Sequence, residues 1–174
     1  MYVNLFFVVA IGLYLTPITI AQDSTAGPQR AQCAFPDGKD VTVVYFSPRM
    51  NGRKIFGGFV PYGQVWETGD GKPTMFATNT NLMVGGKRVP AGKYTIFTIP
   101  DMNKWTLIIK RGTGNPDLPY SYESSELVRV DLLVRRMTPD LESFTITFDQ
   151  RRGGCVLNLR WEAVEASALI AETK

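Results

Sequence analysis

Histidine is absent from all 174 residues, and that one absence removes much familiar chemistry. Imidazole is the commonest general base near neutral pH, the pivot of Ser-His-Asp triads and a usual ligand of zinc and copper. Also lacking are a phosphate-cradling Gly-rich loop ending in Lys-Ser/Thr, a nucleophile elbow and a paired-cysteine redox motif. Asp101-Met102-Asn103 lacks the rest of any calcium loop and reads as a hairpin turn. The sequence therefore assigns no residue to catalysis or to a metal, and it implies no cofactor. Concentrated charge is missing too. The 19 basic and 16 acidic residues give a net charge of +3, and the basic ones are scattered as pairs such as Arg53-Lys54, Lys87-Arg88, Arg135-Arg136 and Arg151-Arg152. Nucleic-acid binders gather such charge on one face of a recognisable module, so no nucleic-acid partner is expected.

What is present begins with an apolar run over residues 5–20, broken late by Pro17 and ending in Thr19-Ile20-Ala21. Small residues at Thr19 and Ala21 suit signal peptidase, which predicts cleavage before Gln22. An uncleaved anchor is the alternative, but the run is short for a bilayer and Pro17 disfavours a continuous helix. Cys33 lies too far beyond the run for a lipid anchor. The expected organisation is a signal peptide at 1–21, a flexible lead-in at 22–32, one domain at 33–170 and a tail at 171–174. The protein is expected in the periplasm or secreted, with no membrane span after processing. Cys33 and Cys155 bracket the domain and would meet oxidising conditions after export, so they are expected to pair; two free buried thiols are the alternative.

No long amphipathic helical pattern appears, and period-two alternation dominates. Val41, Val43 and Tyr45 oppose Thr42, Val44 and Phe46; Trp105, Leu107 and Ile109 oppose Thr106, Ile108 and Lys110. The pattern recurs over residues 127–134, at Phe144, Ile146 and Phe148, and at Leu157, Leu159 and Trp161. One-sided strands of this kind suit antiparallel sheets. Turn residues such as Gly57-Gly58, Gly69-Asp70-Gly71, Gly85-Gly86, Pro90-Ala91-Gly92 and Gly153-Gly154 punctuate them. The expectation is an all-β, antiparallel β-sandwich of roughly nine short strands, with a long irregular stretch at 112–125.

Two kinds of residue are candidates for function. Carboxylate pairs can hydrolyse glycosides, and Glu67 with Asp70 beside Trp66, or Glu123 with Glu126 near Tyr120 and Tyr122, would supply one; solvated loops are the plainer reading. Aromatic residues near Gly and Arg, Tyr62-Gly63-Gln64-Val65-Trp66 preceded by Arg49, Arg53 and Phe59, are the better lead, because flat rings stack on sugars and Arg adds hydrogen bonds. Arg49, Arg53, Tyr62 and Trp66 are the candidate ligand-binding residues, and a small cell-surface or carbohydrate ligand is the partner class. In the alternative, Trp66 is core and the arginines are clamps. A structural interaction domain working through an exposed edge strand is a third reading.

Ser47-Pro48-Arg49, Gly52-Arg53-Lys54-Ile55-Phe56-Gly57, Pro61-Tyr62-Gly63, Val65-Trp66 and Thr68-Gly69 occur in order. Pro90-Ala91-Gly92, Tyr94-Thr95, Phe97-Thr98-Ile99-Pro100 and Trp105-Thr106-Leu107-Ile108 follow. Together, from about Cys33 to Ile170, they resemble the bacterial domain-of-unknown-function family 2911. The resemblance implies export and supplies no catalytic residue. This chain departs from the family pattern after the Trp, where Glu67, Gly71 and Lys72 replace Arg, Asn and Glu, and it lacks the family's later Trp-Gly pair over 111–119. A function carried by that loop would be altered here.

Overall fold

The computed structural model describes residues 27–112 and 126–173. The expected cleavage site and the residues Glu123, Tyr120 and Tyr122 lie outside them. Nine strands form: β1 Gln29–Ala34, β2 Asp40–Tyr45, β3 Thr74–Thr78, β4 Leu82–Val84, β5 Lys87–Val89, β6 Gly92–Ile99, β7 Lys104–Arg111, β8 Glu126–Arg151 and β9 Gly154–Glu172. Every ladder between them is antiparallel.

The all-β, antiparallel expectation holds, and the sandwich needs correction. All nine strands share one open, hydrogen-bonded sheet in the order β1-β2-β3-β6-β7-β8-β9-β4-β5. The reason lies in two strands that are not short, β8 with 26 residues and β9 with 19. β8 first pairs with β7 over Glu126 to Leu133, then with β9 as far as Arg151. Its register shifts between Arg136 and Leu141 and again between Leu141 and Thr145. Pro139, which has no N–H to give to a ladder, falls inside the first shift. Opposite, Glu162 takes a positive φ of 51°. Extra residues of this kind bend a strand and increase its twist. β9 consequently turns back on itself, and Gly154 at its start packs against the Ile170 carbonyl near its end. One sheet thereby covers its own apolar face.

The core between the two halves includes Val41, Val43, Phe76, Ile96, Trp105, Leu107, Leu157, Leu159 and Trp161, all buried. The disulfide Cys33–Cys155 joins β1 to β9 across this core with Cα atoms 6.4 Å apart, inside the span a disulfide bridges. β1 starts at Gln29, so strand occupies part of the expected lead-in. Strand also reaches into the expected tail as far as Glu172, which faces Leu82, and Thr173 donates its amide to the Asn81 carbonyl at 2.9 Å. Among the described residues no helix is long and apolar enough to cross a membrane.

Candidate functional site

The loop between β2 and β3 carries most of the motif residues, and backbone hydrogen bonds tie it down along its length. The Met50 amide donates to the Glu142 carbonyl at 2.8 Å, and the Phe144 amide donates to the Pro48 carbonyl at 2.9 Å. Further on, Trp66 and Thr98 exchange two backbone bonds of 2.7 and 2.9 Å. The bend residue Glu162 contributes from the other side, its carboxylate accepting from the amides of Ile55 and Phe56 at 3.5 and 3.4 Å. A long connection is thus held like a secondary element, which matters because a preformed loop loses little entropy on binding.

Its apolar side chains converge on the core. Trp66 stacks on Trp161 at 5.7 Å and meets Phe144 edge-on at 4.9 Å, and Phe56 lies edge-on to Trp105 at 4.8 Å. Offset and edge-to-face pairs at such distances exploit the ring quadrupole beyond simple burial. Trp66 is half-buried, so it is both part of the core and part of the surface. On its open side lies a cleft of about 150 Å³ lined by Phe59, Pro61, Gln64, Trp66, Glu67 and Asp70, among others. Phe59 is 48% exposed at its rim.

Of the four expected binding residues, Trp66 alone lines the cleft. Arg53 is a clamp: its Nε and Nη2 donate to the carbonyls of Met50 and Arg49 at 3.0 and 2.7 Å. Its guanidinium lies over the Phe59 ring at 4.0 Å, the distance of a cation–π contact. Arg49 faces Glu142 at 3.6 Å. Tyr62 packs over Gly57, where a Cβ would come within 2.6 Å of the ring; with φ at 76°, glycine suits Gly57 on both counts. Phe59, Gln64, Glu67 and Asp70 are among the residues that line it with Trp66. Phe59 belongs to the aromatic stretch the sequence singled out, although it was not among the four expected binding residues.

Three carboxylates are occupied structurally, one of them in the lining. Glu67 accepts the Gly71 amide at 2.7 Å and so closes its own turn. Glu126 receives both Nε and Nη2 of Arg129 at 2.9 Å. The buried Glu165 bridges Arg135 and Arg160. Hydrogen bonding from Arg135 holds the Glu165 carboxyl below its ordinary range, against the opposing effect of burial. Among the described residues no group of three or more Asp, Glu or Cys could hold a metal ion.

Fold and site together define a disulfide-bonded, single-sheet β domain with a small aromatic cleft in a rigid loop. The disulfide points to an oxidising, extracytoplasmic compartment. The chain belongs to the family described as "Protein of unknown function (DUF2911)", whose profile matches residues 27–170. The motif resemblance therefore holds, and the match begins before Cys33, as β1 does. No curated protein and no solved structure matches the chain.

Proposed function

We propose that this chain is an exported, noncatalytic binding module, periplasmic or secreted, that holds a small carbohydrate or other cell-surface ligand in the cleft at residues 59–70. The observation that carries this reading is a concavity lined by an exposed Phe59 and a half-buried Trp66, on a loop held by backbone hydrogen bonds. Aromatic rings left at a surface cleft offer flat apolar faces to sugar rings, and Gln64 supplies an amide for hydroxyls. At about 150 Å³ the cleft is smaller than the usual drug-sized pocket, which suits one sugar ring or a terminal group. The hydrolase alternative is weaker, because Glu67 already serves the turn at Gly71.

The test is a thermal-shift screen of glycans and envelope fragments, since a ligand that prefers the folded state raises Tm. Phe59→Ala should remove the shift at a cost of about 1 kcal/mol, as half of that ring is already in water. Trp66→Ala should cost about 2–4 kcal/mol because it also strips the aromatic core. A ligand shift that survives Phe59→Ala would place binding elsewhere. Export is tested separately by N-terminal sequencing from the native host, with Gln22 expected first; a membrane-bound chain starting at Met1 would support the anchor.

A further inference from the structure

The ionisable lining of the cleft is of one sign, and from it we infer the ligand class: a small molecule bearing a protonated amine. The inference rests on the binding reading above and narrows it. Glu67 and Asp70 are the charged residues of the lining, and no Lys or Arg is among them, although the whole chain carries a net +3. Lys54, near in sequence, does not line the cleft, and the other nearby cations have partners of their own. Arg53 donates to the carbonyls of Met50 and Arg49 while lying over Phe59, and Lys72 lies over the Phe46 ring at 4.6 Å. Neither lines the cleft.

Two attractions for an ammonium group therefore coincide. Aromatic faces draw cations through their quadrupole, and carboxylates accept short, charge-assisted hydrogen bonds from N⁺–H donors. The Arg53 guanidinium already occupies one face of Phe59 at 4.0 Å, so the lining carboxylates carry the larger part of the attraction for a ligand ammonium. One Glu67 carboxylate oxygen accepts from the Gly71 amide, which fixes the group in the lining. An anionic ligand would meet two carboxylates in the lining and no cation in the lining to offset them. A neutral sugar would gain stacking and hydroxyl contacts only. An amino sugar or an alkyl amine gains the charge term as well.

The experiment compares glucosamine with glucose by thermal shift and calorimetry on the disulfide-bonded protein, at a pH where the amine is protonated. Glucosamine is expected to bind roughly fivefold to tenfold more tightly than glucose, as a partly solvated charged hydrogen bond would give, and the preference should shrink in high salt. Asp70→Asn, an exposed change for which no side-chain bond must break, should bring the two affinities within about twofold while leaving Tm without ligand unchanged. Cadaverine separates the two sources of amine: binding equal to glucosamine assigns recognition to the ammonium group, and weaker binding adds the ring to what is recognised. Equal binding of glucose and glucosamine would overturn the amine inference and leave the binding module standing. A preference that survives Asp70→Asn would overturn the assignment to this lining. Failure of every amine and every glycan in the screen to bind would sink both readings.

Discussion

Removing the Cys33–Cys155 bridge should cost this domain about 5 kcal/mol. The two cysteines lie 122 residues apart, and closing a loop of that length removes entropy from the unfolded chain that the chain-entropy model values at about 5 kcal/mol at 25 °C. Small domains have only about 5–15 kcal/mol in total, so the reduced protein should sit near its folding threshold. The measurement is urea unfolding followed by tryptophan fluorescence, with and without reductant. Trp66, Trp105 and Trp161 all belong to one aromatic cluster, so their emission reports the core directly. Reduction leaves both sulfur atoms in place, whereas the Cys33→Ala/Cys155→Ala double variant also trims packing at two buried positions. Comparing them separates the loop constraint from the packing. The reduced chain should also show a larger m-value, since its unfolded state is free to expand. A loss below about 1.5 kcal/mol with unchanged m would refute the entropic reasoning.

Gly154→Ala should destabilise by more than about 2 kcal/mol, because the new Cβ would collide with the Ile170 carbonyl oxygen and force the two halves of β9 apart; a denaturation midpoint equal to wild type would contradict that packing. The Glu165 carboxyl has a depressed folded pKa, so the stability it contributes is present above its ordinary value of about 4.3 and is lost as pH falls through the folded value. Between pH 5 and 2, Glu165→Gln should therefore lose stability with acidification less steeply than wild type, and parallel slopes would show that pairing with Arg135 and Arg160 carries no net free energy.

Strand existence was legible wherever one face alternates, as at Val41, Val43 and Tyr45 or at Leu157, Leu159 and Trp161, because burial of one face imposes a period of two. The continuity of β8 was not. Residues 135–140 are mostly polar and contain Pro139, so they read as a break, yet they remain extended through a bend whose stabilising contacts come from distant β9. The same distance problem hid the single sheet, since two packed sheets and one sheet folded on itself bury the same residues. The pairing of Cys33 with Cys155 followed from compartment and count. At the site, Trp66 was legible as an aromatic among turn residues. The clamp role of Arg53 was legible as one of two readings, but its partners were not, because the carbonyls of Arg49 and Met50 that hold it are backbone groups any residue would supply.

The place of β9 between β8 and β4 has a consequence for the order in which the molecule is built. A chain made and threaded from its N-terminus presents the β4–β5 hairpin, residues 82–89, long before residues 170–172 exist to receive it. Until then that hairpin has no ladder partner besides itself, and an isolated two-stranded hairpin is marginal in water. The last few residues thus close the sheet rather than trail from it. Truncation just before Ile170 would leave an early-made element permanently without a neighbour, with its open strand available to other chains.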